Sequence, residues 1–296
     1  MIPIRVTLTS LLAIQLFGQV QKGVNASAAS RQLPPLSVPR TLAPGVSFAE
    51  VTLPGAKEKA ARLWVYLPSP LPAGKLPCVV IAPAGTPLSY GIKVQDGDRP
   101  EHLPYVRAGF AVIAYDIDGA FDPQNSAGIR TAILDFRAAE AGVANARVAL
   151  NYALDHLGVD PARLYVAGHS SAATLALQVA ERDKRVRGTV AYAPVTDIAK
   201  HLENQFPALD KLVPGTSAFL KEYSPLSHIE SLRCPVFLFH SDLDRTVPVQ
   251  QTIAFSRELT RVNPRVTLSS GPYGDHYGSM IKEGIPRAIA WLRIAR

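Results

Sequence analysis

A chain of 296 residues, 47% hydrophobic and 19% charged, can bury one large core or two modest ones, which excludes a disordered protein. The net charge of +7 is scattered, and its densest cluster (Arg182, Lys184, Arg185, Arg187) reads as an exposed turn without interleaved aromatics. No nucleic-acid partner is therefore expected, and the absence of any period of 20–50 residues excludes a propeller or solenoid.

The first element is a leader. Met1 to Arg5 carries one basic side chain, Val6 to Val20 is mostly apolar, and small residues follow around Val24 to Ala28. That layout reads as a secretory signal peptide over residues 1–26, with cleavage after Ala26 or Ala28. The apolar run is short and interrupted by Thr, Ser, Gln and Gly, so no stable membrane span is expected after processing, a retained anchor being the alternative. A Pro-rich segment over residues 27–45 reads as a linker, and residues 46–296 read as one catalytic domain of an exported protein.

From Val46 onward short apolar runs alternate with helical spacing. The runs are Val46–Leu53, Leu63–Leu67, Cys78–Ala82, Ala111–Tyr115, Leu164–Ala167, Val190–Ala193, Val236–His240 and Val266–Leu268. Helices are predicted over Val143–Leu157, Ser171–Arg182, Val249–Val262 and Ser279–Ile294. Later runs are apolar on both faces, as parallel strands covered by helices must be, so the fold class is α/β with an open, mostly parallel sheet. An antiparallel hairpin up to Leu67 leads into it. The long, proline-broken stretch from Asp197 to Ile229 interrupts the rhythm and reads as a small helical lid over the carboxyl ends of the strands. Cys78 and Cys234 fall at the start of non-neighbouring strands, so buried thiols are expected rather than a bridge or a metal site.

Leu164 to Ala172 (LYVAGHSSA) reads as strand, tight turn, then helix. Such a turn forces its serine, Ser170, into a strained backbone conformation, so the positions two away, Gly168 and Ala172, must be small. It would expose the Ser170 hydroxyl and aim the Ser171 amide at a developing oxyanion. The loop after the strand Val236–His240 offers two carboxylates: Asp244, deeper in the loop, is the better placed acid, and Asp242 is the alternative. His276, in a Gly-rich loop after the last strand, is the candidate base, and none of the other six histidines lies in such a loop. The second oxyanion donor is expected from Pro83 to Pro87, with the Thr86 amide as candidate and the Tyr90 hydroxyl as an addition.

These residues resemble the dienelactone hydrolase and prolyl oligopeptidase catalytic-domain branch of the α/β-hydrolases. The matching pieces are Val159 to Leu164 before Ala167 to Ser170, Ser224-Pro225-Leu226 before Cys234-Pro235-Val236, Asp244 ahead of Val247-Pro248, and Gly274-Asp275-His276. The resemblance implies a Ser170, Asp244 and His276 triad, and its acid-then-Val-Pro piece favours Asp244 over Asp242. Ala172 stands where glycine is usual, and Ala84-Gly85 where many relatives have His-Gly, so the oxyanion region departs from the pattern. The expected function is serine hydrolysis of a small-molecule ester without cofactor or metal. The alternatives are an exopeptidase acting on short peptides and an exported binding protein that kept the fold. Fewer than fifty residues precede Val46, too few for the propeller that the family's oligopeptidases usually carry, which favours the ester.

Overall fold

The computed structural model describes residues 33–53, 61–122, 124 and 128–295. The expected signal peptide and the first six residues of the linker lie outside them.

Among the described residues nine strands form one sheet in the order β1-β2-β3-β5-β4-β6-β7-β8-β9. Strands β1 (Arg40–Ala43), β2 (Val46–Leu53) and β3 (Ala61–Pro68) are antiparallel, and β3 pairs antiparallel with β5 (Ala111–Tyr115). From there β5, β4 (Leu76–Ile81), β6 (Val159–His169), β7 (Gly188–Tyr192), β8 (Val236–Ser241) and β9 (Val266–Gly271) run parallel. The strand β1 falls inside the segment read as linker. Four residues are too short to show alternation, and the strand exists because Arg40 and Thr41 pair with Phe48 and Ser47 while Leu42 packs on the core.

Helices cover both faces. On one, α1 (Arg99–Arg107) and α9 (Ile285–Ile294) bury Tyr105, Val106, Ile285, Ala288 and Leu292 against Val79, Val112, Tyr165, Val190 and Phe237. On the other lie α3 (Val143–His156), α4 (Ser171–Arg182) and α8 (Val249–Val262), which contact the parallel strands. Burial of that much apolar surface, at about 25 cal/mol per Å², is the main favourable contribution to folding. The predicted helix over Ser279–Ile294 is continuous but not α throughout: Met280–Gly284 is a π turn running into α9, where Gly284 lets the chain pass Tyr192 and Phe239.

The stretch after β7, read as a small helical insertion, is helical: α5 (Ile198–His201), α6 (Phe206–Leu212), α7 (Thr216–Glu222) and a 3-10 turn at Pro225–Ser231. The Asp197 carboxylate caps α5 by accepting from the Lys200 amide at 3.0 Å. The stretch is pinned to a further helix, α2 (Ile129–Ala138), whose Arg130 and Arg137 donate to the carbonyls of Leu212 and Pro214. Both cysteines are free, Cys78 fully buried, and burial pushes the Cys234 thiol up to about 11. In the basic cluster, Arg182 pairs with Glu181 and Arg185 with Asp183. Among the described residues no helix is long and apolar enough to cross a membrane.

Candidate active site

Ser170 closes β6 and opens α4. Its backbone sits at φ 55°, ψ −119°, a left-handed conformation that costs an L side chain about 1–3 kcal/mol and persists only where neighbours impose it. Two do so here. The Ser170 amide donates to the Tyr192 carbonyl on β7 at 2.8 Å, and the Ser170 carbonyl accepts from the amides of Ala173 and Thr174 in the first turn of α4. The small-residue requirement is visible at Gly168, where a Cβ would lie 2.3 Å from the Ala172 carbonyl oxygen. Ala172, on the helix side, is buried without conflict.

Asp244 follows β8 and His276 follows β9, neighbouring strands, so their loops leave the same edge of the sheet. His276 Nδ1 lies 2.6 Å from Asp244 Oδ2. The Asp244 side chain is 1% exposed. Burial by itself would raise its pKa, but hydrogen bonds from His240 and His276, then from the Val247 and Thr246 amides, outweigh it and hold the carboxyl well below the ordinary range. Asp242, the alternative acid, is exposed.

The strand β6, which leads into Ser170, meets this pair through His169. Its Nε2 is 3.0 Å from the His276 carbonyl oxygen, and its ring centroid is 4.4 Å from that of His276. A carbonyl can only accept, so Nε2 carries the proton. Burial, followed by the neighbouring His276, pushes His169 down to about 4, which keeps it neutral. Ser170 and His276 thus share one rim, although no hydrogen bond joins their side chains among the described residues.

The oxyanion region differs from expectation in one respect. The Ser171 amide, at the first position of α4, has no partner within the helix and is free to donate outward. The Thr86 amide is instead turned toward the Ser171 hydroxyl, which accepts from both Gly85 and Thr86 at 3.1 and 3.0 Å. Tyr90 packs its ring against Phe121, 5.2 Å between centroids. Thr86, Leu88, Ser171 and Leu175 border a cavity of about 10 Å³ that Ile198 and Leu220 close from the helical stretch after β7. That is room for about one water. Among the described residues no group of three or more His, Cys, Asp or Glu side chains is placed to hold a metal.

His169 and His240 were not singled out from sequence. His240 is wholly buried at the end of β8, with Nε2 3.1 Å from Asp244 Oδ2 and 3.0 Å from the Val247 carbonyl, and Nδ1 2.7 Å from Thr252 Oγ1. The available signal was a histidine closing a run of four apolar residues, a position where an unpartnered imidazole is costly.

A nine-stranded sheet with helices on both faces, a strained serine at a strand-to-helix turn, and loops from the following strands at the same rim define an α/β-hydrolase. The chain belongs to the prolyl oligopeptidase family, whose model matches residues 102–293, and it is a hydrolase. No curated protein sequence matches it. Among solved structures it is similar to acetyl xylan esterase 1 from a Thermoanaerobacterium species, at 17% identity and a TM-score of 0.65 over 88% of each chain. It is similar to an S-formylglutathione hydrolase from Agrobacterium tumefaciens, at 16% identity and a TM-score of 0.62 over 88% of this chain and 98% of that one. A puromycin-hydrolyzing peptidase from Mycobacterium tuberculosis matches at 19% identity and a TM-score of 0.67 over 86% of this chain, which spans only 40% of that peptidase. At these identities the likeness is one of fold.

Proposed function

We propose that the protein is a serine hydrolase of carboxylic esters that works through an acyl-enzyme, with Ser170 as nucleophile, His276 as base and Asp244 as its orienting acid. The observation that carries this reading is the short His276–Asp244 hydrogen bond at the rim where the strained Ser170 stands.

Asp244 accepts a hydrogen bond from Nδ1–H, which keeps the proton on Nδ1 and leaves Nε2 as the basic nitrogen. Ser170 Oγ then attacks the ester carbonyl carbon as its proton passes to His276 Nε2, and the carbonyl π pair moves onto oxygen. That oxyanion faces the Ser171 amide and the helix terminus behind it. Collapse expels the alkoxide, which takes the proton from His276, and water repeats the sequence on the acyl-enzyme. The second oxyanion donor in this reading is the Thr86 amide, which must share or exchange its bond to the Ser171 hydroxyl. The helical stretch after β7 serves as the lid, closing the cavity beside Ser171.

Ester rather than peptide substrates are favoured by coverage, since the chain spans 88% of acetyl xylan esterase 1 but only 40% of the peptidase. The family match keeps an exopeptidase as the second reading. Fluorophosphonate labelling should modify Ser170, and p-nitrophenyl esters should be cleaved faster than dipeptidyl arylamides. Ser170→Ala should abolish both label and turnover, and equal rates for mutant and wild type on every substrate would leave a binding protein instead. Asp244→Asn should lower kcat by about three to four orders of magnitude, with Asp242→Asn within about twofold of wild type. The leader is proposed to direct export, checked by sequencing the amino terminus of the mature protein.

A further inference from the structure

We propose that His240 is a positioning residue for the acid, a second imidazole that fixes Asp244 so that His276 meets it in one orientation. This rests on the triad reading above. Asp244 accepts three hydrogen bonds, from the amides of Thr246 and Val247 on Oδ1, at 2.8 and 2.9 Å, and from His276 Nδ1 on Oδ2, and His240 Nε2 lies 3.1 Å from Oδ2. A carboxylate has about four lone-pair positions, so with three filled by hydrogen bonds and the His240 imidazole against the remaining side it has little freedom to turn.

The protonation of His240 follows from its partners. Nε2 faces the Val247 carbonyl and the Asp244 carboxylate, both acceptors, so it carries hydrogen. Nδ1 faces the Thr252 hydroxyl on α8, which donates to it. The bonds thus run from Thr252 to His240 to the Val247 carbonyl, and the same Nε2–H lies against Asp244 Oδ2, the oxygen that accepts from His276. The Val247 carbonyl ties the same nitrogen to the loop that supplies two of the other donors, so strand, loop and helix all locate one oxygen. Packing does not require an imidazole here: Val236 to Phe239 fill the strand with apolar side chains, and a leucine would bury as well without needing partners at both nitrogens. Another ionisable group at this pair, His169, stacks on His276 from the β6 side and bonds to its carbonyl.

The test compares His240→Leu, His240→Gln and Thr252→Val in the full chain, using kcat and KM on a p-nitrophenyl ester, the thermal midpoint, and the downfield imidazole N–H resonance that His276→Ala removes. His240→Leu should lower kcat about ten- to hundredfold with KM within about twofold, and should move or broaden the resonance. A glutamine amide nitrogen reaches the position of Nε2, so His240→Gln should restore most of kcat. Thr252→Val, which frees the imidazole to change tautomer, should give a smaller loss of the same kind. A folded His240→Leu protein with wild-type kcat and an unmoved resonance overturns the proposal. If that variant does not fold, the glutamine and Thr252 variants decide: equal losses in kcat and thermal midpoint, with the resonance unmoved, count against it. Wild-type protein without Ser170-dependent turnover would instead remove the triad reading itself.

Discussion

At Ser170 the fold stores strain where the proposed chemistry needs an exposed hydroxyl, and the neighbouring small residue is what permits it. Gly168 has an ordinary negative φ, so its role is steric: the chain doubles back and brings the Ala172 carbonyl to where a methyl would stand. Gly168→Ala should therefore cost about 3 kcal/mol or more in denaturant unfolding, because backbone rather than a flexible side chain must give way. Any soluble fraction should be inactive. Ser170, His276 and the two competing aspartates were legible as residue types in order along the chain. His240 was not, because its meaning lies in three contacts, with Asp244, Val247 and Thr252, that exist only once β8, its loop and α8 are packed.

Elements were legible where the apolar pattern was undisturbed. The predicted limits of β2, β5, α4 and α8 coincide with the observed ones, since each is bounded by a clear change of period or a turn residue. The helix α1 was hidden by Pro100 at its start and Pro104 inside it, and α2 by its brevity. The loop between β4 and α1 was read as an oxyanion arm, and the structure adds what holds it: one hydroxyl, Ser171 Oγ, accepting two consecutive amides. Ser171→Ala should leave the fold intact while releasing Gly85 and Thr86. The expected result is a fall in kcat of up to about tenfold, with KM little changed, because the donor is less well placed when charge develops. A variant with unaltered kcat would show that the arm is held by other contacts.

For the whole molecule, pH dependence of stability should be set partly by acids far from neutral water. Glu101 on α1 is 6% exposed, and burial, followed by the Asp98 carboxylate, pushes it up to about 8. Its pKa is thus raised on folding, so between the ordinary glutamate range and about 8 the native state holds a proton that the unfolded chain has lost. That contribution is complete below the glutamate range and declines as pH rises through the window. Thermal midpoints measured at intervals from pH 5 to 9 should fall less steeply for Glu101→Gln than for wild type. Equal slopes would mean that Glu101 finds solvent or a cation in solution.

The strand order has a consequence for how such a catalyst fails. Ser170, the proposed nucleophile, stands at the end of β6, flanked by β4 and β7 and covered on both faces, while His276, the proposed base, hangs from β9, which is half-exposed and has one neighbour among the described residues. Margins of a sheet open at lower free energy than its middle. Gentle heating or dilute denaturant should therefore detach the proton acceptor while the serine remains in its turn, and turnover should vanish before circular dichroism records any loss of the sheet.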